Sequence, residues 1–217
     1  MADIYLQGQT TSKGRYGNGA TVKATGTRDG ALYVADYIHA LAMEGRVFHQ
    51  GVGSLTTPTA FRIGITTLQP ELVIDVPTGT TIIPVEISVH LETLAGTISE
   101  IVAMTGTALR GAGTSTAGAP LSTRTDRPVT SGCSTYYTYA GNAVAMSGTV
   151  EFWRWGFPWV TATAEGNPIM KAIYNVRDNT PQVIVGPGNL SIYIGGTTAG
   201  PTGYVTCSWA ELPSTSI

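Results

Sequence analysis

Val85-Glu86-Ile87-Ser88-Val89-His90-Leu91-Glu92 is the stretch whose reading decides the fold. Val85, Ile87, Val89 and Leu91 point one way, and Glu86, Ser88, His90 and Glu92 point the other. Side chains alternate across a strand, so this period of two marks a half-buried strand. Pro84 at its start has no N–H to give to a ladder, which predicts a bulge or an edge there.

The same alternation runs outward in both directions. Leu72, Ile74 and Val76 alternate with Glu71 and Asp75, and Phe61, Ile63 and Ile65 are read as one face of a strand. Further strands are predicted at 21–25, 99–104, 136–146, 149–157, 169–176, 182–185, 190–194 and 204–209. Residues 31–43 carry enough Ala and Leu for a helix, but their aromatic and β-branched members favour a long bent strand with Gly45 at the bend. Residues 105–131 lack periodicity and read as containing a long loop. Residues 1–20 are polar and Gly-rich and read as an N-terminal arm, leaving 21–217 as one domain. About ten short strands separated by Gly, Pro and Asn turns predict an all-β chain, an antiparallel β-sandwich of jelly-roll type with an extended arm.

Composition agrees. Among 217 residues, 27 are Gly and 33 Thr, while charged residues make up only 12%. That bias favours strands and turns over helices. The net charge is −2 and no Lys/Arg run is present, so the electrostatic footprint of a nucleic-acid partner is missing. No run of 18 apolar residues occurs, so no membrane partner is expected, and the first residues lack the apolar core of a secretory signal. Without such a signal, Cys133 and Cys207 are expected to be buried, reduced thiols.

No catalytic constellation emerges, and the expectation is a non-enzyme with no cofactor and no metal. His39, His49 and His90 are not at metal-ligand spacing, although His90 and Glu92 share a strand face. Gly51-Val52-Gly53-Ser54-Leu55 lacks the second flanking glycine of a nucleophile elbow. Asp75, Glu86, Glu92, Glu100, Glu151 and Glu165 offer carboxylates that a sequence cannot place face to face.

The richest feature is Phe152-Trp153-Arg154-Trp155-Gly156-Phe157-Pro158-Trp159, with three of the four tryptophans. On a regular strand Trp153 and Trp155 share one face, and Phe152 and Arg154 the other. Three readings remain open: a core strand whose aromatic side spills over, a subunit interface, or a platform for sugar rings. Tyr136-Tyr137-Thr138-Tyr139 admits the same three. The interface reading names Trp153, Arg154, Trp155, Phe157, Trp159, Tyr136 and Tyr137, with Arg154 stacking on a ring or reaching a neighbour's carboxylate.

Three groups of short motifs carry a resemblance. They are Tyr5-Leu6-Gln7-Gly8-Gln9 with Gly26-Thr27-Arg28-Asp29-Gly30, then Gly45-Arg46-Val47-Phe48-His49-Gln50-Gly51 through Leu55-Thr56, and finally Val183-Ile184-Val185-Gly186-Pro187-Gly188 with Tyr193 and Ser208-Trp209-Ala210-Glu211-Leu212-Pro213. This order resembles virion proteins of tailed bacteriophages, and 70–94 is similar in style to jelly-roll capsid and capsid-cement domains. The resemblance implies a homotrimer made in the host cytoplasm and bound to the capsid exterior, with the major capsid protein or another virion protein as its partner. Tyr5, Lys13, Arg15 and Tyr16 of the arm, with the loop around 105–131, are then the expected capsid contacts. The alternative is a jelly-roll carbohydrate- or receptor-binding module of a tail or head fibre. An enzyme such as a jelly-roll hydrolase is the third and least supported class.

Overall fold

The computed structural model describes residues 5–7, 21–23, 36–93, 98–126, 128–157, 170–196 and 200–214. Its elements, in chain order, are β1 (Tyr5–Gln7), β2 (Thr21–Lys23), α1 (Tyr37–Met43), β3 (Val47–Val52), β4 (Thr59–Ala60), β5 (Arg62–Ile63), β6 (Leu72–Val76), β7 (Thr80–Thr93) and β8 (Ser99–Gly106). They continue with β9 (Thr116–Ala117), β10 (Leu121–Ser122), β11 (Ser134–Tyr137), β12 (Val150–Phe157), β13 (Met170–Asn175), β14 (Ile184–Val185), β15 (Gly188–Gly196) and β16 (Thr202–Pro213).

Two antiparallel sheets face each other, as the alternating strands predict. The first runs β10-β3-β16-β7-β13, with β14 also on β7 and β4 on β16. The second runs β12-β8-β15-β6-β11-β9, with β5 lying parallel to β15. The core between them takes Phe48 and Val52, Ile87, Val89 and Leu91, Tyr174, and Val205, Cys207 and Trp209 from the first sheet. From the second it takes Leu72, Ile74, Val76, Ile101, Ala103, Leu190, Ile192 and Ile194. Hence 87, 89 and 91 face inward as their alternation demands.

Val85 does not join them. The register with β16 passes from Glu86↔Ser208 to Pro84↔Trp209, so Val85 is left over as a bulge. On the other side of β7, β13 pairs with 86–91 and β14 with 81–82, so Pro84, which has no N–H to donate, falls in the gap between those two partners. The bulge turns Val85 outward with Ile83, against α1.

That helix corrects the expectation of a bent strand at 31–43. Asp36 caps it, its carboxylate accepting the Ile38 N–H at 2.9 Å, and Gly45 ends the following turn at φ +76°. Ile38, Leu41 and Ala42 lie at helical spacing and pack on Val47, Ala210 and Leu212. Residues 31–35 lie outside the described residues. Two further expectations change. Ile63 and Ile65 do not continue Phe61 into the core, because Gly64 at φ +74° ends β5 after two residues. The strand expected at 136–146 stops at Tyr137, where Thr138 takes a left-handed φ of +53°. Tyr5–Gln7, from the stretch read as an arm, pairs with Thr21–Lys23, which lies in the strand expected at 21–25.

Residues 107–115 and 138–147, from the regions read as loop and strand, form a layer over the outer face of the second sheet. Asp75 accepts the amides of Arg110 and Gly111, each at 2.8 Å. Tyr193 Oη and Arg110 Nη2 both donate to the Thr67 carbonyl, at 3.0 and 2.6 Å. Asn189 Nδ2 donates to the Ala108 carbonyl at 2.7 Å, and the Tyr139 hydroxyl to that of Gly111 at 2.7 Å. Val73, Tyr139 and Ala143 add an apolar cluster. Burial raises the pKa of both Asp75 and Tyr139 and so favours their neutral forms, and at Asp75 the two amide bonds oppose that shift.

Candidate functional site

β12 is built by its register with β8 and by one irregularity. The pairing passes from Glu151↔Met104 to Trp153↔Ala103, which leaves Phe152 as a bulge. The extra residue breaks strict alternation. Phe152 and Trp153 both reach Tyr174 of the opposite sheet, with ring centroids at 5.4 and 6.2 Å in edge-on contacts. This corrects the regular-strand expectation that Phe152 sits with Arg154 on the far side. Trp153 and Phe157 are buried in the core of the chain.

Trp155 differs from both. It sits opposite the core residue Ile101, yet 48% of it is exposed. Among the described residues β12 pairs on one side only, with β8, so its other row of N–H and C=O groups has no strand partner there. Val150 and Ile98, near the two ends of the same strand pair, are also exposed.

Arg154 is already engaged. Its Nε and Nη2 donate to the two carboxylate oxygens of Glu151 at 2.7 and 2.8 Å, and its Nη1 donates to Glu100 at 3.2 Å. The bidentate bond to Glu151 raises the Arg154 pKa and lowers that of Glu151. The guanidinium fork expected to seek a ring or a neighbour's carboxylate is thus closed within the chain.

Tyr136 and Tyr137 are half-buried and split between faces. Tyr137 packs on the main core and Tyr136 on Val73 and Tyr139. Tyr5 lies in β1 opposite Lys23. Trp159, Lys13, Arg15 and Tyr16 lie outside the described residues, as does Glu165. The structure therefore brings Trp155, Arg154 and Val150 to one edge and draws Trp153 and Phe157 inward.

The buried carboxylates act as structural acceptors. Glu211 accepts from Trp209 Nε1 and the Gly132 amide, each at 2.9 Å, and from the Ser131 hydroxyl. Glu71 accepts the Arg62 amide at 3.2 Å, and desolvation pushes its carboxyl up to about 7. Among the described residues no group of three His, Cys, Asp or Glu is placed to hold a metal ion. Cys133 and Cys207 are free and buried, and burial pushes both thiols away from the reactive thiolate.

A second surface was hidden in the sequence although half of it was read correctly. His90 and Glu92 do share the outer face of β7, and the register adds Tyr204, Thr206 and Ser208 of β16 beside them. Long-range strand pairing, which no local pattern encodes, assembles that face. No protein-family model matches the chain, and no curated protein matches it.

Proposed function

We propose that this chain is a phage structural protein that joins copies of itself, as a homotrimer, and decorates and stabilises the capsid exterior. The observation that carries the self-assembly is Trp155, half-exposed on a strand with one unpaired side among the described residues. Burying its exposed half, roughly 100 Å², is worth about 2–3 kcal/mol per subunit at about 25 cal/mol per Å². Val150 and Ile98 widen the apolar surface, and the edge backbone supplies direction. Edges left in this state pair with other chains unless something covers them.

The nested strand pairing supports the jelly-roll form of the sandwich. Among its eight principal strands, β3 pairs with β16, β6 with β15, β7 with β13, and β8 with β12. First meets last and the middle two meet each other, which is the winding of a folded-over double hairpin. Placement on a capsid rests on the sequence resemblance and on the low charge of the chain, with the major capsid protein or another virion protein as partner.

The test is the mass in solution. The trimer gives about three times 22.7 kDa by light scattering, and Trp155→Ser shifts it toward a folded single chain. A wild-type protein that stays at the mass of one chain at high concentration overturns the assembly. Single-particle images of a virion containing the protein, with no density for it on the head exterior, overturn the placement.

A further inference from the structure

We infer that the half of the outer face of β13, β7, β16 and β3 that no described residue covers is a binding face for a neutral glycan. This goes beyond the assembly role and uses none of the β12 residues. The face consists of three cross-strand rows. Lys171, His90 and Tyr204 form the first, and Ile173, Ser88, Thr206 and Gly51 the second. Asn175, Glu86, Ser208 and His49 form the third. Strand spacing and rise give it sides of about 14 Å, roughly the footprint of a di- or trisaccharide.

Three features select that ligand class. The first is a ring platform held in place without being buried. Tyr204 lies against Gly53, where a Cβ would come within 2.6 Å of the ring. Its ring stacks with His90 at 6.4 Å and 27°, and its hydroxyl meets Glu92. A ring fixed before binding loses little freedom when a sugar stacks on it.

The second is a lawn of short donors and acceptors. Ser88, Thr206 and Ser208 present hydroxyls, and His49 Nδ1 is already set by Ser208 Oγ at 3.2 Å. Lys171 is the one lysine or arginine in these rows, which also hold Glu86, and Glu92 lies beside them at Tyr204. That balance suits neither a nucleic acid nor a phosphorylated ligand. Ile173 is the one large aliphatic side chain in the rows, too few for a protein anchor.

The third is Gly51. It has no positive φ, and the nearest atom to a Cβ there is Thr206 Cγ2 at 3.7 Å, an ordinary contact. Neither backbone nor packing requires glycine, and glycine weakens a strand. What its absence of a side chain does is leave a hollow between Thr206 and His49, where a sugar ring can settle beside the polar rows.

The experiment is a panel of cellohexaose, maltohexaose, laminarihexaose, mannohexaose and chitohexaose titrated into the full chain, read by backbone amide shifts. At least one is expected to bind saturably, with shifts at 49–51, 86–92, 171–173 and 204–208. Gly51→Thr is expected to melt at or above the parent temperature yet bind about tenfold more weakly or worse. His90→Ala, on an exposed position, is expected to weaken binding in the same direction. No shift with any member, shifts centred on β12, or undiminished binding by Gly51→Thr each overturn the inference.

Discussion

On the sheet containing β6 and β15, the outward-pointing residues Glu71, Val73, Asp75, Ser191 and Tyr193 are as buried as the core. On the other sheet, Ser88, His90, Tyr204, Thr206 and Ser208 hold corresponding outward positions and meet solvent. Both rows are mostly polar, so composition alone does not separate them. The difference lies in what happens to the hydrogen bonds. The sealed row is satisfied within the chain under loop residues brought down onto it, while in the open row, apart from the Ser208–His49 bond and the contact of Tyr204 with Glu92, the hydroxyls of Ser88 and Thr206 meet water or a ligand. A polar side chain under a cover is a structural commitment, and the same side chain without one is available for recognition.

The largest effect expected from this contrast is at Asp75. Asp75→Ala removes the acceptor of the Arg110 and Gly111 amides and a carboxylate that interacts with the fully buried Arg110. Breaking such a set costs about 3–5 kcal/mol, a drop on the order of 10 °C in Tm for a chain of this size. Urea unfolding of the variant measures it. A loss of under about 1 kcal/mol would show that the cover is held by other contacts.

Glu71 makes the sealed row sensitive to pH. Its carboxyl is raised from 4.5 to about 7, mainly by desolvation, and Arg62 opposes the shift only in part. The folded chain thus keeps a proton that the unfolded chain releases. Stability from this group is full below about pH 4.5 and is lost as the pH rises through about 7, about 3 kcal/mol in all. Glu71→Gln keeps an acceptor for the Arg62 amide but cannot ionise. Its stability relative to wild type should rise between about pH 5 and about pH 8 by most of that amount. Parallel unfolding curves at the two pH values would instead mean that Glu71 is not desolvated as placed.

Trp155 belongs to neither row. Its exposed half is expected to be covered by another copy. Trp155→Ser should therefore leave the unfolding of the separate chain nearly unchanged while weakening association by about 2–3 kcal/mol per contact. Sedimentation across a dilution series reads this directly. Equal loss in the separated chain would instead place the ring in the core with Trp153 and Phe157.

These outcomes bear on what the chain discloses locally. Ile87, Val89 and Leu91 were legible because one face is buried and the other is wet. Leu72, Ile74 and Val76 were legible too, yet the burial of Glu71 and Asp75, which alternate with them, was not, since alternation reports polarity and not cover. The cover at 107–115 and 138–147 has no period because it is held by single bonds to Asp75, Thr67 and Asn189. At β12 the pattern misled, because one inserted residue sends Phe152 and Trp153 to the same ring. Trp155 kept its place in the strand, but its exposure depends on β12 being an edge, and strand order is a property of the whole chain.

The smallest effect is also the cleanest comparison, since it uses one chemical change at two sites. Ser191 is fully buried, and its Oγ donates to Asn189 Oδ1 at 2.9 Å, which helps aim the Asn189 amide at the Ala108 carbonyl. Ser88 occupies the open face between Ile173 and Thr206. Ser191→Ala leaves a buried acceptor without its donor and should cost about 1–2 kcal/mol. Ser88→Ala should stay within about 0.5 kcal/mol, because water replaces the lost group. Matched unfolding curves of the two variants give the difference. If the two costs were equal, cover would not govern the fate of polar residues on these sheets, and the open row would lose its claim to be held ready for a ligand.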